Sequence, residues 1–208
     1  MHMRESALAD TGRNFGLSGA ALKWIAMITM LIDHIGAVVM EYGLYYQGGA
    51  ETFRRLLDSG NGQWLYTFQR LMRMVGRPSF LLYSFLLVEG FFHTRSRKRY
   101  TFQMLLFAMI SEIPFDLAAS NRWFYLGYQN VFFEFLIGLT VLWGMEQAVI
   151  FGKTPLTVKA GKIFAVVLGC MAAVFIQADY DYIGIIIIAA FYEFHASRAG
   201  RSLSAAVL

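Results

Sequence analysis

Apolar positions in this chain gather into long runs separated by short polar stretches. A helix crosses the ~30 Å hydrocarbon layer of a bilayer with about 20 residues. The runs predict such helices at about 18–40, 73–92, 100–118, 128–150, 159–178 and 182–197. The expected fold class is all-α: a polytopic membrane helix bundle of about six transmembrane helices, forming one integral membrane domain over residues 1–208. Residues 41–72 break the pattern. They are too polar to span, yet Phe53, Leu56, Leu57, Trp64, Leu65, Phe68, Leu71 and Met72 give them an apolar side. One or two short amphipathic helices lying at the membrane interface are expected there.

Composition agrees with this reading. The chain is 57% hydrophobic and 15% charged, against roughly 25% charged in an ordinary soluble domain. The net charge of +4 does not point to nucleic acid, because the basic residues lie in short loops beside apolar helices, where lipid headgroups account for them. Membrane lipid is thus one expected partner and nucleic acid is not. Cys170 is the single cysteine, so neither a disulfide nor a cysteine metal site can form, and no motif suggests a metal. The first fifteen residues carry Arg4, Glu5, Asp10 and Arg13 without an apolar core, which does not read as a cleavable signal peptide.

Loop charge sets the expected orientation, since positively charged loops stay in the cytoplasm. Placing the segment His93 to Arg99 inside also puts Arg4, Arg13, Lys23, Lys153, Lys159, Lys162, Arg198 and Arg201 inside. Twelve of the 18 Lys and Arg residues, including every Lys, then fall on that side. Both termini are expected to be cytoplasmic. The six remaining cations are arginines, at 54, 55, 70, 73, 77 and 122.

Charged side chains within the bilayer are costly and tend to face the protein interior and carry function. Helix one holds Asp33 and His34, helix two Arg77 and Glu89, and helix three Glu112 and Asp116. From their depths, His34, Glu112, Asp116, Arg77 and Asn130 are expected at a similar level in the outer half of the membrane. Glu112 and Asp116 are four apart and share a helix face, which suits proton handling or holding a cation. Lys23 and His34 are eleven apart, which returns within about 20° of the same face at roughly 16 Å separation. That stripe suits an extended cofactor with an anionic head at the cytoplasmic surface and its reactive end in the membrane.

Plainer readings stand beside these. His34 could hydrogen-bond a neighbouring helix, and Asp33 could serve packing or fix the tautomer of His34. Glu89 and His93 share a face where pairing with the basic loop competes with cofactor gating. Arg95, Arg97, Lys98 and Arg99 read as a topology signal or as phosphate ligands. Glu134, Glu146, Asp179 and Asp181 lie toward helix ends and read as structural. Trp123, Tyr125 and Tyr128 read as an interfacial belt.

The segments that carry this chemistry resemble the TraX family of integral membrane acetyltransferases. They run from Leu22-Lys23 through Ile32-Asp33-His34-Ile35-Gly36, Gly76-Arg77 and Phe85 to Arg95, then Ser111-Glu112-Ile113-Pro114-Phe115-Asp116 and Gln129-Asn130-Val131-Phe132-Phe133. Ala178-Asp179-Tyr180 is a looser match. The Lys23-to-His34 spacing also resembles a pattern in the first helix of acyltransferase-3 proteins, a wider group of transmembrane acyltransferases. The chain departs from the family pattern in residues 41–72, in Glu134 and in a short C-terminus.

The resemblance implies a multi-pass protein of the bacterial inner membrane that binds acetyl-CoA from the cytoplasm. The acetyl group would pass to an amine or hydroxyl reached from the extracytoplasmic side, on an acceptor peptide or glycan such as a pilin N-terminus. His34 is then the expected general base, with Asp33, Glu112 and Asp116 as catalytic partners orienting it. Lys23, Arg77, Glu89, His93, Arg95, Arg97, Lys98 and Arg99 are the expected cofactor-binding residues, and Arg77 and Asn130 the acceptor-binding ones. The alternative from another class is a small proton- or cation-coupled transporter using the same acids and histidine as an ion relay.

Overall fold

The computed structural model describes residues 18–46 and 49–196. The expected cytoplasmic termini, with Arg4, Arg13, Arg198 and Arg201, lie outside the described residues. Among the described residues the elements are helical: α1 (Gly19–His34) with a π-helical continuation over Ile35–Tyr46, α2 (Gly49–Asp58), α3 (Gly60–Gly76), α4 (Pro78–His93), α5 (Arg97–Ser120), α6 (Val131–Phe151), α7 (Pro155–Ile176) and α8 (Asp181–Ala196). Five helical segments among the described residues are long and apolar enough to cross a membrane: Gly19–Met40, Gly62–His93, Arg97–Ser120, Val131–Phe151 and Pro155–Ile176. α8 is shorter, at 16 residues, or about 24 Å.

The second span differs from its expected form. α3 does not stand apart from α4; the two join into a helical segment of 32 residues, Gly62–His93, that is apolar enough to span over part of its length. Arg77 at the joint has helical angles (φ −53°, ψ −37°). Pro78 occupies the first position of α4, where a missing N–H costs nothing and the fixed φ suits a helix. The 32 residues reach about 48 Å, beyond the ~30 Å apolar layer, so this segment is long enough to carry its α3 end past the bilayer core.

Two groups of helices share one core, joined where α4 packs on α6 and α8. In the first, α1 and its π continuation run antiparallel to α3–α4, with Gly36 against Met72 and Arg73 and Gly76 against Asp33. In the second, α5, α6, α7 and α8 go up and down. Small residues set the α6–α7 contact: Gly144 faces Ala165, Gly161 faces Ala148, and Gly169 faces Val141. Such pairs let helix backbones approach closely where lipid supplies no hydrophobic drive.

Short as it is, α8 packs on α4, α6 and α7 and contributes Ile185 and Ile188 to the fully buried centre with Phe91, Leu139 and Leu142. Aromatic stacking of Phe80 on Tyr180, with centroids 3.7 Å apart, and of Phe92 on His195, at 4.0 Å, aligns α4 with α8. The outer surface stays apolar, as with Phe107, Ile110, Met171 and Phe175, which suits a lipid surround.

Candidate functional site

The alternation of helices creates two polar ends. One carries the basic loop, with His93 and Arg97, and the N-terminus of α1. The opposite end gathers His34, Gly76, Ser120, Asn130 and the turn between α7 and α8.

At the His34 end, Gly76 brings α3 against α1 closely enough for Arg73 to reach Asp33, Nη1 to Oδ2 at 2.5 Å. The other carboxylate oxygen, Asp33 Oδ1, is buried without a hydrogen bond. Adjacent His34 is exposed, and its Nδ1 lies 2.9 Å from the carbonyl oxygen of Met30 one turn earlier. A carbonyl only accepts, so Nδ1 must carry the proton, and in the neutral ring Nε2 then holds the lone pair.

Asp179, in the turn between α7 and α8, lies within electrostatic reach of His34, Arg73 and Asp33, and it accepts a hydrogen bond from the Tyr128 hydroxyl. Burial pushes the Asp179 carboxyl above the usual carboxylate range, with the nearby Asp33 charge adding, while the Tyr128 hydrogen bond, His34 and Arg73 hold it back. The same burial pushes the Tyr180 hydroxyl up to about 12. The turn is placed by left-handed Gln177 (φ 54°) and Asp181 (φ 52°), and by Gln129, whose N–H donates to the Gln177 carbonyl at 3.0 Å.

Glu112 and Asp116 form a second polar group at this end. Glu112 accepts from both the side-chain amide and, at 3.4 Å, the backbone N–H of Asn130. Asn130 also donates to the Ala108 carbonyl at 2.9 Å and accepts from Phe132 N–H at 2.9 Å, capping α6. Buried Asp116 accepts from the Tyr125 N–H at 2.7 Å. The two acids therefore hold the α5–α6 connection, and their hydrogen bonds go to that connection rather than to His34. Tyr128 joins the groups, its ring stacked on Phe115 with centroids 5.6 Å apart and its hydroxyl on Asp179.

At the other end, buried Glu89 lies 3.3 Å from His195 Nε2 and 3.6 Å from His93 Nδ1. Arg97 bonds Glu146 at 2.6 Å and lies over the Phe91 ring at 4.3 Å, so this member of the basic loop ties α5 to α6 and α4. Lys23, Arg95, Lys98 and Arg99 are exposed. Lys23 and His34 stand on one flank of α1 beside its packed face, which carries Leu22 and Ala26.

The structure thus brings His34 and Asp33 together with Arg73 and Asp179, two residues the sequence reading did not place in the site. The signals were present: Arg73 was one of the arginines remote from the basic loop, and Asp179 fell in the looser Ala178-Asp179-Tyr180 match. Arg77 is exposed at the α3–α4 joint, within electrostatic reach of Asp33. Glu134, read from sequence as a structural acid toward a helix end, is fully buried against Gly184, and neither of its carboxylate oxygens has a hydrogen-bond partner among the described residues.

Comparison with known proteins places these residues in context. A family model described as TraX protein matches residues 18–208. The chain is 32% identical over 137 residues to a protein of Dichelobacter nodosus described as "Probable fimbrial assembly protein FimC, serogroup H1". The match covers 62% of this chain and 47% of that protein, so the chain spans about half the length of the relative it matches. No solved structure matches it.

Proposed function

This chain belongs to the TraX protein family, and from that membership and the His34 site we propose that it is a membrane acetyltransferase. Its acetyl donor is acetyl-CoA, bound from the cytoplasm at the end carrying Lys23 and the basic loop. Its acceptor is an amine or hydroxyl that reaches His34 from the extracytoplasmic side, and the fimbrial-assembly relative favours a filament subunit as the acceptor.

One observation carries the reading: the His34 Nδ1 contact with Met30 leaves Nε2 as a free base on an exposed ring. In the proposed step Nε2 takes the proton of the acceptor amine or hydroxyl as it attacks the thioester carbonyl. The new C–N or C–O bond forms, the C–S bond breaks, and the coenzyme A thiolate leaves with the proton returned by the imidazolium. Asp33 and Asp179 balance the imidazolium charge. Arg73 restrains Asp33, and Arg77 serves the carbonyl or the acceptor. Glu112, Asp116 and Asn130 act at one remove, by fixing the loop that carries Tyr128 and hence Asp179.

Lys23 sits roughly 16 Å from His34 along α1, an interval suited to an extended pantetheine arm whose phosphates rest among Lys23, Arg95, Lys98 and Arg99. Glu89 and His93 support that end. The test is thiol release from acetyl-CoA by purified protein in the presence of a peptide with a free N-terminus, with mass spectrometry of the peptide. Wild type acetylates the peptide and His34→Gln does not. Undiminished transfer by folded His34→Gln would overturn the assignment. Proton flux in vesicles with no thioester consumption would favour the transporter.

A further inference from the structure

The arginines at the His34 end are arranged as a ladder. At 100° per residue, Arg70, Arg73 and Arg77 fall within an arc of ~60° on α3, and Arg77 keeps the helical register through the joint. That strip is distinct from the two other faces of the helix. One is packed and carries Gln69 and Gly76. The other is apolar and exposed, with Trp64, Phe68, Leu71 and Val75.

Only the middle rung is fully engaged, Arg73 with Asp33 at 2.5 Å. Arg70 and Arg77 are exposed, and Arg77 lies within electrostatic reach of Asp33 and Tyr180. Among the described residues Arg70 has no ion-pair partner within salt-bridge distance. Among the described residues every lysine lies elsewhere, and the cations beside His34 are guanidiniums, planar forks that bind carboxylate or phosphate oxygens in pairs. Two exposed guanidiniums flank the rung next to the proposed base, about 4.5 and 6 Å along the axis on either side of it.

We propose that the acceptor is anionic, carrying a carboxylate or phosphate close to its nucleophile, and that Arg70 and Arg77 bind that group while His34 takes the proton. This rests on the acetyltransferase reading and adds the substrate class. A lipid headgroup would satisfy the same guanidiniums. A soluble acceptor is favoured because the strip leads to the proposed base, whereas the apolar face of α3 points away from it.

Peptide binding tests the inference without requiring transfer. The protein is placed in nanodiscs of zwitterionic lipid. Three fluorescent peptides with free N-terminal glycine are titrated: one with aspartates following the glycine, one with phosphoserines and one with asparagines. Either anionic peptide is expected to bind about tenfold or more tighter than the asparagine peptide, as charge-assisted hydrogen bonds warrant, and the aspartate and phosphoserine arms report which anion is preferred. The preference is expected to collapse in Arg70→Gln/Arg77→Gln and to persist in Arg54→Gln, a charge control on α2.

Equal binding of all three peptides, or a preference retained in the double variant, would overturn the proposal. So would equal loss in Arg54→Gln, which would mean general surface charge, or loss on adding phosphatidylglycerol to the nanodisc, which would assign the arginines to lipid. Anionic preference without acetyl transfer would leave the ladder standing and count against the acetyltransferase.

Discussion

Gly76 is where the site depends most on a single missing atom. A Cβ there would lie 2.2 Å from Asp33 Cβ and 2.7 Å from Asp33 Cα. Carbon atoms rest at about 3.5–4.0 Å, so Gly76→Ala must part α1 and α3 by roughly 1.5 Å. The obstruction includes backbone, and no rotamer relieves it. Overpacking of this kind costs about 1–3 kcal/mol, a fall of roughly 2–10 °C in the thermal midpoint for a chain of this size.

The larger effect falls on chemistry. The displacement separates Asp33 from Arg73 and moves His34 beside it, and misplacing a reacting group by about 1 Å costs on the order of 10²-fold in rate. The assay pairs thermal unfolding in detergent with acetyl transfer, using Gly60→Ala as control because nothing lies within 4 Å of a Cβ at that position. Acetyl-CoA binding at the far end is expected to survive. A Gly76→Ala variant with wild-type midpoint and wild-type rate would mean that α1 and α3 do not meet there, and the arrangement of the His34 site would be refuted.

Two further outcomes follow from other contacts. Asn130→Ala removes the α6 cap and leaves Glu112 unpaired, a loss of about 1–2 kcal/mol for the cap and about 1–3 for the orphaned partner, measured by denaturant unfolding; Asn130→Asp is expected to rescue only in part, because it sets a second carboxylate beside Glu112. Asp179 has its folded pKa raised by burial, so its contribution to stability is present below the unfolded pKa and lost as pH rises through the folded one. Asp179→Asn, permanently neutral, is expected to melt higher than wild type at pH 8, with the gain vanishing on acidification below the carboxylate range; parallel pH profiles would contradict this.

Much of the bundle was legible because membrane helices announce themselves by length and apolarity. The expected runs at 100–118, 128–150, 159–178 and 182–197 correspond to α5, α6, α7 and α8 within a few residues. The stretch from 60 to 72 was harder. Its polar residues suggested an interfacial helix, whereas Arg77 and Pro78 continue it into α4; a proline at a first helical position reads in sequence as a break as readily as a start. The π continuation of α1 has no periodic signature.

In the site, the same-face placement of Glu112 and Asp116 followed from spacing, but spacing cannot say that Asn130 and the Tyr125 N–H are their partners. Arg73 and Asp179 meet the His34 neighbourhood only through tertiary packing, the first across Gly76 and the second through the α7–α8 turn. Glu134 looked like a helix-end acid and proved buried because α8, with Gly184, closes over it.

The most direct test of the central claim is calorimetric binding of acetyl-CoA to purified wild type, Lys23→Ala and His34→Ala proteins. Binding by wild type that is lost in Lys23→Ala and kept in His34→Ala is the predicted result, with the donor anchored at one end of α1 and chemistry done at the other. No binding by folded wild type, or binding indifferent to Lys23, would contradict it.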